Sequence, residues 1–240
     1  DSIASPNTTI NAIVAEAFCE AADRLEKAED FDMAVHDLIK EYMTKHQRIL
    51  FSGNGYSKEW YEEAMRRGLP NIQSTIEAAP TLTTDKAVKL FEKFGIFTRV
   101  ELESREEIIY ETYAKTINIE ALTMIDMAGK DIIPAVAAYT GELANTVVTV
   151  KEAGAPATAQ TELLVEVDSL LAEAKKALKH LEECTVDANK IENAKERAFY
   201  YKDVVDVAMT ALRKPVDKLE MLVDSDIWPM PTYGRLMFEI

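Results

Sequence analysis

The sequence contains only two cysteines, Cys19 and Cys184, which are far apart and form no C-x-x-C motif. Two such thiols neither define a disulfide framework nor supply a structural zinc site. Both fall within predicted helices among apolar neighbours. We therefore expect reduced thiols and a cytoplasmic protein.

Histidine is equally scarce, with His36, His46 and His180 as the three examples. Di-iron sites in helical bundles use E-x-x-H motifs, which place a glutamate three residues before the histidine. Those positions hold Met33, Met43 and Ala177. No nucleophile motif accompanies the histidines either. The sequence therefore predicts no catalytic residue and no metal ligand in this chain.

The chain has few basic residues: 27 Lys and Arg compared with 42 Asp and Glu, which gives a formal net charge of −15. A nucleic-acid partner needs a clustered basic face, and none is visible. The same imbalance disfavours binding to an anionic membrane surface. No apolar run reaches the roughly 18 residues of a membrane span, and no charged-then-apolar leader opens the sequence.

Four glycines and three prolines divide the first 103 residues into short elements. Apolar periodicity predicts helices over residues 7–28, 31–45, 58–67 and 84–94. Ser57 is a suitable N-cap, and Gly68 and Gly95 are suitable C-terminal stops. Residues 48–51 and 96–103 read as extended. We therefore expect a small mixed α/β subregion here.

Residues 104–240 have a simpler, helical pattern. A long helix is predicted from Ser104, which forms a capping box with Glu107, to residue 152, with a bend at Pro134. Further helices are predicted over 158–183 and from a turn at 185–187 to 223. Short loops predict an antiparallel up-down-up bundle, for a mostly α fold. The ending, residues 228–234, predicts a non-helical Pro/aromatic tail docked on the bundle.

A glycine-rich segment offers a candidate for ligand binding at Gly53, Asn54 and Gly55. Amides before a helix attract phosphate. The segment lacks the Lys-Ser/Thr of a Walker A loop and the third glycine of a dinucleotide fingerprint. The alternative is a tight turn in which glycine supplies a positive φ.

Two carboxylates on the predicted helices are candidates for acid–base groups. Glu120 and Asp126 sit within the apolar run 117–127, where burial would raise their pKa values. The alternative is a position on the solvated edge of a helix or beside a basic neighbour. Asp203 and Asp206 read as charges on a solvated face.

Several segments resemble the type III glutamine synthetases, in the same order along the chain. Residues 48–57, RILFSGNGYS, resemble the family's N-G-N-G-Y-S motif, with Ser52 in place of the first Asn. Residues 115–128, KTINIEALTMIDMA, and 228–234, WPMPTYG, are similar to two further family segments. Residues 1–26 resemble the segment after the last catalytic strand, which reads S-I-A-x-P-N-T before a helix.

The resemblance implies a parent enzyme that joins glutamate and ammonia, using ATP and Mg or Mn, through γ-glutamyl phosphate. The family's metal carboxylates and substrate arginines lie on barrel strands that would precede Asp1, so none is assigned to this chain. Residues 1–103 are then the end of the catalytic domain plus the mixed subregion. Residues 104–240 are expected to shape contacts with sister subunits in a homo-oligomer.

The missing initiating Met adds to the expectation of a fragment that is inactive alone and packs on the remainder of the catalytic domain. Two other functions remain open. One is an independent acidic helical module for protein interaction. The other is a self-sufficient enzyme that uses residues 53–55.

Overall fold

The computed structural model describes residues 3–231 and 233–238 of the protein. Within these ranges the chain forms helices and turns, and no β-strand is present. The prediction of a mostly α fold is therefore confirmed, whereas the predicted α/β character of residues 1–103 is wrong. The chain divides into two compact units, residues 1–106 (unit 1) and 107–240 (unit 2).

Unit 1 is a series of mostly short helices whose ends follow local capping chemistry. The helices are α1 (Ala4–Leu25), α2 (Phe31–Lys45), α3 (Lys58–Arg66), α4 (Thr75–Ala78), α5 (Asp85–Lys93) and the start of α6 (Arg99–Met127), with 3-10 turns at Gln47–Ile49 and Ala79–Thr83. The predicted cap at Ser57 is confirmed, since its Oγ accepts from the Trp60 N–H. Gly68 and Gly95 have φ values of +69° and +61° and end their helices as predicted.

The segment Arg48–Phe51, predicted as β-like, forms no strand. A strand requires a neighbouring strand to satisfy its backbone groups. Here a side chain takes that role, because Nη1 of Arg67 donates to the carbonyl oxygens of Arg48 and Leu50 at 3.2 and 2.8 Å. The segment is instead a 3-10 turn followed by irregular backbone.

Most of the segment 96–103, predicted as extended, is the first turn of α6, which begins at Arg99. A capping box forms between Thr98 and Glu101: the Glu101 carboxylate accepts from the Thr98 N–H at 2.7 Å, and Thr98 Oγ accepts from the Glu101 N–H at 3.4 Å. The expected box at Ser104 and Glu107 is wrong, because both residues lie inside the helix.

The core of unit 1 is small. One cluster joins α1, α5 and the start of α6 through Ala12, Val88, Phe91 and Leu102. Ile76 is also fully buried. This core covers only one side of α1, because Ala12 is the one buried residue of that helix.

Unit 2 consists of long helices interrupted by two π-helical segments. After α6 come α7 (Ile133–Glu152), α8 (Thr158–Ala188), α9 (Ala194–Tyr200), α10 (Asp206–Leu222) and α11 (Tyr233–Phe238). The π segments are Ala128–Ile132 and Tyr201–Val205. Pro134 lies in the first turn of α7, directly after the first π segment, where the Ile133 N–H donates to the Ala128 carbonyl five residues back.

Two core clusters show how the helices of unit 2 run. One cluster contains Ala121 of α6, Leu181 of α8 and Val205 of the second π segment. The other contains Val136 of α7, Val167 of α8 and Leu219 of α10. From the first cluster to the second, the residue numbers fall along α8, whereas they rise from α6 to α7 and from the second π segment to α10. Helix α8 is therefore antiparallel to both, in the up-down-up order.

Two boundaries in unit 2 differ from the predictions. Helix α8 runs to Ala188 through the predicted turn at 185–187, because the buried Thr185 hydroxyl donates to the Leu181 carbonyl and stays within the helical pattern. In the tail, Trp228 is 5% exposed and packs in the second cluster. Thr232 lies outside the described residues, and the predicted non-helical tail is wrong from Tyr233, where α11 begins.

Candidate functional site

The glycine-rich turn, residues 52–57, is closed by its own asparagine. Oδ1 of Asn54 accepts from the Tyr56 N–H at 3.0 Å, and the Asn54 carbonyl accepts from the Ser57 N–H at 3.2 Å. These bonds use two of the amides that a phosphate would need. The Tyr56 side chain is fully exposed at the tip of the turn.

The N-terminus of α3 is already occupied by a carboxylate of the chain, that of Glu59. The pKa of the Glu59 carboxyl is lowered because it accepts from its own backbone N–H and from the Ser57 hydroxyl. With Ser57 Oγ bonded to the Trp60 N–H, the positive end of this helix is occupied by groups of the chain itself. The arrangement is that of a capped helix start.

Glycine is used at position 53 for space rather than for backbone conformation. Among the described glycines, positive φ values occur at Gly68, Gly95 and Gly154, so the expected positive φ at Gly53 and Gly55 is wrong. A Cβ on Gly53 would lie 2.7 Å from Cζ of Phe51. That ring stacks on Trp60, with centroids 4.1 Å apart and planes 21° from parallel.

Arg67 fixes this stack against the preceding segment. Its guanidinium carbon lies 5.5 Å from the Trp60 ring centroid. Its Nη1 donates to the carbonyl oxygens of Arg48 and Leu50. Nε donates to Glu63, which also accepts from Arg66. Hydrogen bonds from Arg66 and then Arg67 lower the pKa of Glu63 to about 2. Sequence reasoning alone did not find this clamp; its signal is the Glu63-x-x-Arg66-Arg67 spacing on one helix face.

A shallow cavity of about 370 Å³ lies beside the turn. Its walls are mainly aromatic and aliphatic, and they include Tyr56, Trp60, Tyr61, Leu69 and Pro70. The polar groups that line it are Ser57 and Asn71. This chemistry suits contact with a protein surface better than phosphate binding, which needs cationic groups.

The carboxylates considered as buried acids lie at the surface. Glu120 and Asp126 are exposed, and Asp126 pairs with Lys130 one helical turn on. Asp203 and Asp206 are exposed as well, and Asp203 lies 3.0 Å from Nζ of Lys202. The reading of Glu120 and Asp126 as buried carboxylates is therefore wrong, and the alternative of a solvated helix edge is confirmed. The solvated positions predicted for Asp203 and Asp206 are confirmed as well.

Among the described residues, the histidines and cysteines form one close pair, His180 with Cys184, and no group of three. His36 and His46 are exposed on unit 1, and His180 of unit 2 lies 3.6 Å from Sγ of Cys184. Burial raises the pKa of the Cys184 thiol. Across the described part of the chain, no group of three or more His, Cys, Asp or Glu side chains is placed to hold a metal ion.

The most unusual surface of unit 1 is apolar. Between residues 3 and 75 only Ala12 and Leu38 are buried. Large apolar side chains of the same stretch are exposed, and on α1 they form a stripe at helical spacing: Ile3 71%, Ile10 57%, Ile13 53%, Val14 45% and Phe18 72%. Contiguous exposed apolar surface of this kind marks a protein contact.

Among the described residues, no helix combines the length and the apolar content that crossing a bilayer requires.

Comparison with known proteins identifies one family. A family model described as the glutamine synthetase C-terminal domain matches residues 34–151. The chain is 39% identical over 208 residues to a glutamine synthetase of Butyrivibrio fibrisolvens, covering 86% of this chain and 30% of the relative. It is 34% identical over 245 residues to the type-3 glutamine synthetase of Dictyostelium discoideum, covering 97% of this chain and 33% of the relative. A glutamine synthetase of Bacteroides fragilis (strain YCH46) is 32% identical over 239 residues, covering 95% of this chain and 33% of the relative. The chain thus spans about a third of the length of these curated relatives.

Proposed function

Because this chain belongs to the glutamine synthetase family and matches its C-terminal region, we propose that the whole protein joins ammonia to glutamate with ATP. In this proposal the chain supplies structure and subunit contacts. In the same proposal, ATP and Mg²⁺ or Mn²⁺ are bound by the remaining two thirds of the parent. The proposed compartment is the cytoplasm, which agrees with the unpaired thiols of Cys19 and Cys184.

The observation that carries this proposal is the incomplete core of unit 1. An independent domain buries most of its large apolar side chains, yet α1 buries only Ala12 and exposes Ile10, Val14 and Phe18. The remaining two thirds of the parent provide a body on which this face packs. The alternative, an independent acidic interaction module, would also expose an apolar face, but it does not account for the match to about a third of the length of glutamine synthetases.

Unit 2, in contrast, is self-contained. Its two clusters bury Val136, Val167, Leu181, Val205 and Leu219 to 0% exposure. The helices of unit 2 therefore pack on one another, whereas unit 1 has only a small core. We assign it the role of shaping contacts between sister subunits of a homo-oligomer.

Deletion of residues 107–240 from the full-length enzyme tests this role. We expect a smaller oligomer by gel filtration with light scattering. Circular dichroism and tryptophan fluorescence would check that the remaining protein is folded. A folded deletion variant with the native mass would refute the assignment of unit 2 to subunit contacts.

A second test addresses catalysis by this chain alone. Calorimetric titration of the 240-residue chain with Mg·ATP should give no binding heat, whereas the full-length enzyme should give a saturable signal. Saturable binding to the chain, lost in Gly53→Ala or Asn54→Ala, would support the self-sufficient enzyme instead.

A further inference from the structure

Residues 45–72 form an exposed arm that differs in charge from the rest of the chain. No residue of the arm is buried. It carries five Lys or Arg and three Glu, a net charge of +2, whereas the whole chain carries −15. Among the described residues, no ion pair within 4 Å is formed by the Arg48 side chain, which is exposed. The arm is thus an exposed segment of net positive charge in an acidic chain.

The arm has the composition and stiffness of a binding element. Tyr56 is fully exposed, and Tyr61 and Met65 are 47% and 50% exposed. Aromatic, Met and Arg residues are the types enriched in protein interfaces. The stack of Phe51 on Trp60 and the Arg67 clamp order the backbone of the arm before binding, which lowers the entropic cost of association.

Unit 2 carries a groove of complementary chemistry on its bundle. The groove has a volume of about 520 Å³ and is lined chiefly by α8, with Lys218 of α10 at its edge. Its apolar side chains are Val165, which is 63% exposed, and Leu170. Glu162 and Glu166 flank them. An aromatic side chain can enter such a groove while basic neighbours meet the two carboxylates.

We propose that the arm of one copy docks into the α8–α10 groove of a second copy. Tyr56 occupies the groove, and Arg48 faces Glu162 and Glu166. The contact is heterologous, because it joins two different surfaces, so its repetition generates a ring or a filament. The inference rests on the proposed role in subunit contacts and extends it by naming the two surfaces that meet.

Sedimentation velocity of the 240-residue chain over a concentration series tests the contact. We expect concentration-dependent association that weakens as salt rises from roughly 50 to 500 mM, because the contact is electrostatic in part. Arg48→Glu and Glu166→Lys should each raise the dissociation constant about tenfold or more. The charge-swapped double variant should recover most of the loss. Tyr56→Ser should weaken association at all salt concentrations, and Lys86→Glu, an exposed lysine of α5, is the matched control.

Three results would overturn the proposal. One is a monomer at all concentrations, and another is association that is unchanged in both single variants. The third is association that strengthens with salt, as expected if the apolar stripe of α1 joins two copies instead. The measurement needs neither ligase activity nor the full-length enzyme. Its failure would therefore leave the proposed function to be judged by the deletion of residues 107–240.

Discussion

The Tyr201 hydroxyl donates to Oδ1 of Asn118 at 2.8 Å, joining the second π segment to α6 inside the bundle. The same hydroxyl lies 3.1 Å from Oδ1 of Asn189, at the end of α8. Because a hydroxyl has one proton, one of the two carboxamides must present its NH₂ group. Tyr201 is 1% exposed, and burial raises the pKa of its phenol. This polar link therefore joins three elements at the edge of the core, since Tyr201 is buried and Asn189 is exposed.

Removing the hydroxyl should destabilise the chain modestly. Tyr201→Phe keeps the ring but leaves two amide groups without their partner, so we expect a loss of about 1 kcal/mol in the free energy of unfolding by urea. In a double-mutant cycle, Tyr201→Phe and Asn118→Ala should be less than additive. Additive effects would mean that the hydrogen bond contributes nothing of its own.

The sequence predicts those elements whose determinants are local. Helix α2 has the predicted bounds because Asp30 caps it, and Ser57 and Gly68 bound α3 as expected. The prediction for residues 48–51 is wrong because their backbone partner is the Arg67 side chain, 17 and 19 residues away. Position 53 illustrates the same limit at the candidate site. Glycine is needed at position 53 because the Phe51 ring occupies the space of a Cβ, and this contact forms only when the turn has folded.

Gly53→Ala should disturb the aromatic stack. A Cβ 2.7 Å from Cζ of Phe51 forces that ring to move off Trp60. We expect a large shift of the Trp60 indole N–H resonance in the ¹H–¹⁵N NMR spectrum. Gly55→Ala is the matched control, since no atom lies within 4 Å of the position that a Cβ would take there. Equal shifts in both variants would argue against the steric explanation.

Acid should release the Arg67 clamp within a defined pH range. The Glu63 pKa is about 2, below its ordinary value of 4.5, because the folded state favours the carboxylate through Arg66 and Arg67. The stabilisation is therefore fully present above pH 4.5 and is lost as the pH falls towards 2. The Trp60 indole resonance should report this transition. Glu63→Gln should show the acid spectrum of the arm already at neutral pH, and a pH-independent wild-type spectrum would contradict the prediction.

The two thiols should differ in reactivity. Cys184 is 5% exposed, burial raises its pKa, and both features suppress the thiolate that reacts with disulfide reagents. Cys19 is only partly buried. In native buffer, one thiol per chain should react rapidly with Ellman's reagent and the second only after urea is added. Cys19→Ser should remove the fast phase; its persistence would place the reactive thiol at Cys184.

The apolar stripe of α1 should matter only in the presence of the rest of the enzyme. Phe18 is 72% exposed, so Phe18→Ser in the 240-residue chain should change the free energy of unfolding by no more than about 0.5 kcal/mol. If the rest of the parent packs on this face as proposed, the same substitution in the full-length protein removes a buried contact, and we expect a loss of about 3 kcal/mol or more. Phe91, which is 2% exposed in the chain itself, is the control, since Phe91→Ser should destabilise both proteins. Thermal unfolding of all four variants measures the difference. If Phe18→Ser were silent in the full-length enzyme, the catalytic body would not cover this face, and the packing proposed for unit 1 would fail.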